Sequence, residues 1–165
     1  MAMKETDRGG PAALLAAVPS PGEARPVDHV EFTMAAPKAS GKARARRAAD
    51  GHFYTPAQTA AAETAVAAAF LDAVRLYTLD EIPTRSPVQL VVLFSRQLPR
   101  SAPPGQAGRP DLGKPDVDNV LKLVMDALTG LAWEDDSQVY EVRAARLPLA
   151  PHGSGDRLHV YIGYR

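Results

Sequence analysis

Apolar and polar residues alternate between Val27 and Met34. Val30, Phe32 and Met34 fall on one side, and His29, Glu31 and Thr33 on the other. A period of two with one apolar side predicts a half-buried strand. The period then changes. Val66, Phe70, Val74 and Tyr77 recur at helical spacing, which predicts a helix from Thr55 to about Tyr77 with one buried stripe. Thr55 suits its N-cap, Pro56 its first helical position, and Gln58 closes a capping box. Pro87–Ser95 is apolar on both faces, the pattern of a central strand. Arg96–Lys114, broken by Pro99, Pro103, Pro104 and Pro110, predicts a long loop. Asp116 to Thr129 predicts a second helix with Val117, Leu121, Val124 and Leu128 buried and Gly130 as its C-cap. Ser137–Leu147 and Arg157–Tyr164 predict two further strands, joined by a Pro/Gly loop that carries His152.

These elements imply an α+β fold, with a small mixed or antiparallel sheet packed against two main helices. Residues 27–165 read as one domain. Residues 1–26 are rich in Ala, Pro and Gly, have no sustained period, and read as a flexible tail. Val27 is therefore the expected start of folded structure.

Composition narrows the chemistry. The chain of 165 residues is 45% hydrophobic but only 6% aromatic, so its core is lightly built and rich in Ala. It has no Cys, which excludes disulfides, thiolate metal sites and a Cys nucleophile. No apolar run reaches the ~18 residues of a membrane span. Glu5 and Asp7 spoil the basic segment that a signal peptide requires. The protein reads as soluble and cytoplasmic.

The formal net charge is zero, so bulk charge does not hold this protein on a polyanion. Its charges are nevertheless segregated. Lys38, Lys42, Arg44, Arg46 and Arg47 follow one another with no acid between them, while carboxylates concentrate at residues 116–141. A basic arm beside an acidic pocket suits a polyanion held at its flanks and coordinated through metal at its centre.

The acidic stretch runs through Asp116, Asp118, Asp126, Glu134, Asp135 and Asp136, beside an apolar stripe. Carboxylates crowded in this way repel one another and lose solvation. Asp116 and Asp118 sit at the expected start of the second helix, where the dipole and free N–H groups favour negative charge. Hard divalent cations take such oxygen ligands. A fold-back of the turn that holds Asp135 and Asp136 would complete a three-carboxylate site suited to phosphodiester hydrolysis. Lys122, one turn beyond Asp118, is placed to neutralise charge developing on a phosphate. The plainer reading makes Asp116 an N-cap, Asp118–Lys122–Asp126 a solvated ion-pair ladder, and Asp135–Asp136 an ordinary turn. The spacing is not that of a calcium-binding helix–loop–helix. The four histidines have no metal-ligand spacing and read as surface residues.

At these residues the chain resembles the RusA family of Holliday junction resolvases, endodeoxyribonucleases of bacteria and their prophages. The resemblance lies in Lys114-Pro115-Asp116-Val117-Asp118-Asn119-Val120-Leu121-Lys122, then Asp126-Ala127-Leu128-Thr129-Gly130, Trp133, and Asp135-Asp136-Ser137-Gln138-Val139. It extends more weakly from about Val30 to the C-terminus, with the basic arm and Phe53-Tyr54-Thr55-Pro56 in order. In many relatives the arm is a compact run, whereas here extra residues separate Pro37-Lys38 from Arg44-Ala45-Arg46.

The resemblance implies that Asp116, Asp118 and Asp136 are catalytic metal-binding carboxylates, with Lys122 an essential companion and Asp135 and Asp126 secondary. It implies Mg²⁺, with Mn²⁺ as a substitute, and a homodimer that makes paired nicks in a four-way DNA junction. Lys38, Lys42, Arg44, Arg46, Arg47 and Lys114 are the candidate DNA-binding residues. Two other readings of the same residues stay open. One is a metal nuclease for other branched or flapped DNA, and the other a catalytically silent DNA-binding protein whose acids are structural.

Overall fold

Val88–Ser95, apolar on both sides, becomes the strand β4 around which the sheet is assembled. The computed structural model describes residues 27–37, 46–47, 53–54, 57–75, 82 and 84–165. In chain order these form β1 (His29–Ala35), β2 (Arg46–Arg47), β3 (Phe53–Tyr54), α1 (Ala57–Ala73), β4, α2 (Val117–Leu128), β5 (Val139–Arg146) and β6 (Arg157–Tyr164). Short 3₁₀ turns lie at Pro104–Gln106 and Asp136–Gln138.

The main sheet has four strands in the order β1-β6-β4-β5. β6 is antiparallel to both β1 and β4, while β5 is parallel to β4. Parallel neighbours need a crossover, and here α2 is that crossover. It therefore runs back against the direction of both strands. Its N-terminus comes to the end of β4 and β5 marked by Arg96 and Arg146, which bond Lys114 and Gly113. The mixed sheet and two helices give the expected α+β fold.

Both helices pack on one face of the sheet. Val66, Phe70 and Val74 from the first helix and its end meet Val120, Val124 and Leu128 of the second. Beneath them lie Phe32, Leu90, Val92, Phe94, Val160 and Ile162. Each such side chain contributes about 1.5–3 kcal/mol when fully buried. On the opposite face Val91, Leu93 and Tyr161 form a smaller cluster.

The helix and strand expectations hold with adjustments. The first helix ends at Ala73, and Val74 packs from the turn beyond it. The expected Thr55–Pro56 start and Tyr77 lie outside the described residues. The expected stripe of the second helix is rotated. Val120, Leu123, Val124, Ala127 and Leu128 are buried, Leu121 packs only partly against the core, and Val117 is 38% exposed. The expected stripe steps by four, three and four and so keeps to one face, but at about 100° per residue the buried face is turned from it by roughly 60°, toward Val120, Leu123 and Ala127. Thr129, not Gly130, is the C-cap, and Gly130 follows with a positive φ of 81° that glycine adopts without penalty. The pairing of β2 with β3 was not anticipated from the sequence. Among the described residues no helix is long and apolar enough to cross a membrane.

Candidate active site

Asp116 is the N-cap of α2, with extended backbone angles of −73° and 154°. Its side chain makes no capping hydrogen bond. The position is that of a cap, but the carboxylate is directed elsewhere. It is 46% exposed and pairs with the Lys114 ammonium at 2.5 Å. A cation thus already sits on this carboxylate. Asp118 lies exposed in the first turn of the helix, where N–H groups without an intrahelical partner favour negative charge. Lys122 and Asp126 follow at four-residue steps, also on the exposed side.

Asp136 has different surroundings. Its Oδ1 accepts from the Thr129 hydroxyl at 2.6 Å and from the Trp133 indole N–H at 3.0 Å. Thr129 is the C-cap of α2 and Trp133 is fully buried, so Asp136 is fastened to the far end of the helix. At about 1.5 Å per residue, the span from Asp116 to Thr129 is roughly 20 Å. The expected fold-back of this turn past the helix start therefore does not occur within one chain. The Thr129 and Trp133 bonds hold the turn at the opposite end. Accordingly, no group of three or more His, Asp or Glu side chains among the described residues is placed to hold a metal.

Asp135 has a local role. It caps the 3₁₀ turn in a reciprocal capping box with Gln138. The Ser137 side chain, and then its backbone N–H, hold the Asp135 carboxyl below its usual range. Gln138 also donates to the carbonyls of Thr84 and Ser86 at 2.8 and 3.0 Å, which fixes the turn to the start of β4.

Of the expected DNA-binding residues, Lys38, Lys42 and Arg44 lie outside the described residues. Arg46 and Arg47 form β2, opposite Tyr54 and Phe53. Lys114 is 83% exposed and paired with Asp116.

Sequence reasoning missed Asp111. Its side chain is 2% exposed and accepts two hydrogen bonds from Arg96, at 2.7 and 2.9 Å, while Arg146 lies at 3.2 Å. Burial pushes its pKa up. The Arg96 bond, the Gly113 N–H and the charges of Arg96 and Arg146 outweigh that and hold the carboxyl below its ordinary value. One signal was legible. An Asp two residues before a Gly suits a turn in which its side chain accepts the second following N–H, and Gly113 N–H donates to Asp111 at 3.0 Å.

Comparison with known proteins agrees with the motif. The family described as Endodeoxyribonuclease RusA matches residues 35–162. No curated protein matches this chain. The matched span begins at the end of β1, ends within β6, and contains the whole of α2 together with Asp111, Asp116, Asp118, Asp126, Asp135 and Asp136. It covers more than three quarters of the sequence, and the chain belongs to the RusA family of structure-specific endodeoxyribonucleases.

Proposed function

We propose that this protein is a Mg²⁺-dependent nuclease that resolves four-way DNA junctions in the cytoplasm, as a homodimer making paired symmetric nicks. Family membership supplies the reaction class and branched DNA as the substrate class. The observation that carries the chemistry is the Asp116 carboxylate, held at a helix N-cap yet not used for capping. With Asp118 it offers hard oxygen donors, which suit Mg²⁺ or Mn²⁺. A bound divalent ion would polarise the phosphoryl oxygen and acidify the attacking water.

The protein's own groups do the rest. Asp116 and Asp118 hold the cation at the helix start. Lys122 counters charge developing on the phosphate, and Lys114 exchanges its carboxylate partner for the DNA backbone. The arm from Lys38 to Arg47 grips the flanking phosphates.

Asp136 stands about a helix length from Asp116, and this is the reason for proposing the dimer. α2 and β5 run antiparallel along one side of the molecule, and β5 is an edge strand. Tyr140 and Val142 on β5 are 48% and 40% exposed, and Val117 at the helix start is exposed as well. A two-fold axis across this edge would oppose the two strand directions. It would carry Asp136 of each copy toward Asp116 and Asp118 of the other. Both sites would then be assembled only in the pair.

The test is cleavage of a synthetic four-way junction with and without Mg²⁺. The proposal expects Mg²⁺-dependent paired nicks in the junction and little cutting of duplex. Equal cutting of flaps or other branched forms would favour a broader branched-DNA nuclease. Binding without cleavage would indicate a silent DNA-binding protein.

A further inference from the structure

We propose that Asp111, with Arg96 and Arg146, is a positioning residue for the metal site. It fixes the segment Gly113–Asp116 so that the Asp116 carboxylate faces a divalent cation. This rests on the nuclease reading above.

The observation is a charged cluster whose hydrogen bonds converge on one short stretch of backbone. Asp111 accepts from Gly113 N–H at 3.0 Å. Arg96 donates to the Lys114 carbonyl at 3.0 Å, and Arg146 donates to the Gly113 carbonyl. Three backbone polar groups of Gly113 and Lys114, just ahead of Asp116, are thereby tied down. Arg96 immediately follows β4 and Arg146 ends β5, so the two strand ends are joined to the loop through one carboxylate.

The cluster is sterically as well as electrostatically defined. A Cβ on Gly113 would lie 2.1 Å from Arg96 Nη2, so the guanidinium occupies the space that a side chain would take. Arg96 is 25% and Arg146 15% exposed, against 83% for Lys114 nearby. The fork of Arg96 holds both Asp111 oxygens, a geometry that a point charge cannot reproduce. None of these groups needs to touch metal or DNA. Their effect reaches the reaction through the orientation of Asp116, as groups behind a metal ligand commonly act.

The experiment measures Mn²⁺ binding to the full chain without DNA, by electron paramagnetic resonance, together with the metal dependence of junction cleavage. Asp111→Asn keeps the shape and removes the charge. Folded Asp111→Asn protein is expected to bind Mn²⁺ about tenfold more weakly or worse. Its cleavage should recover at high metal concentration, which a shortage of folded protein alone would not permit. Should Asp111→Asn not fold, Gly113→Ala perturbs the cluster from the other side by displacing the Arg96 guanidinium, and the same weakening is expected. Wild-type metal affinity in either folded variant overturns the positioning role and leaves the nuclease reading standing. Failure of the wild-type chain to bind Mn²⁺ at all overturns both.

Discussion

Asp116, Asp118 and Asp136 belong to one sequence motif but have three different environments. Asp116 is ion-paired at a helix start, Asp118 stands exposed in the first turn, and Asp136 accepts from Thr129 and a buried Trp133. They stand out in the sequence because acids crowded beside an apolar stripe need a reason. Their separation does not, since it depends on which way a turn leaves the helix. Asp111 shows the converse. Only its local turn with Gly113 leaves a trace in the sequence, because burial between two arginines is a tertiary property. Its lowered pKa has a consequence for stability. A carboxyl whose folded pKa lies below its unfolded value stabilises fully above the unfolded value, and that contribution is lost as pH falls through the folded one. The urea midpoint of wild type should therefore fall as pH drops below about 4. Asp111→Asn should show a shallower fall over the same range, and parallel curves would remove Asp111 from the acid response.

At the scale of elements, periodicity located β1, α1, β4, α2, β5 and β6 but misjudged the rotation of α2. Leu123 shows the difference. It lies off the stripe of Val117, Leu121, Val124 and Leu128, yet it is fully buried. Leu123→Ala should cost about 2–5 kcal/mol in urea unfolding. A cost under about 0.5 kcal/mol, as at ordinary surface positions, would return Leu123 to the exposed side. The small pair β2–β3 was illegible because two-residue strands have no measurable period. It places Arg46 and Arg47 opposite Tyr54 and Phe53. Replacing Arg44, Arg46 and Arg47 by Ala should weaken junction binding regardless of sequence. It should also lower the slope of log K against log salt by up to about 0.9 for each DNA phosphate no longer neutralised. An unchanged slope would make the arm a solvated loop.

At the scale of the molecule, the parallel step from β4 to β5 is the feature that matters most. It requires α2 to cross back along the sheet, so Asp116 and Asp136 lie at opposite ends. The α+β class was legible from the mixture of periods, but strand order is set by long-range pairing and was not. Under the proposed function, carboxylates at the two ends of one helix complete a metal site only where two chains meet. The most direct measurement mixes two inactive proteins, one carrying Asp118→Asn and the other Asp136→Asn. Asn can still accept the Thr129 and Trp133 hydrogen bonds, so the second variant should fold. In a mixed dimer one site combines both substitutions and the other has neither. The account predicts that each variant alone is inactive, and that mixing restores Mg²⁺-dependent single nicks in the junction. No restored nicking in a mixture shown to contain heterodimers would contradict it.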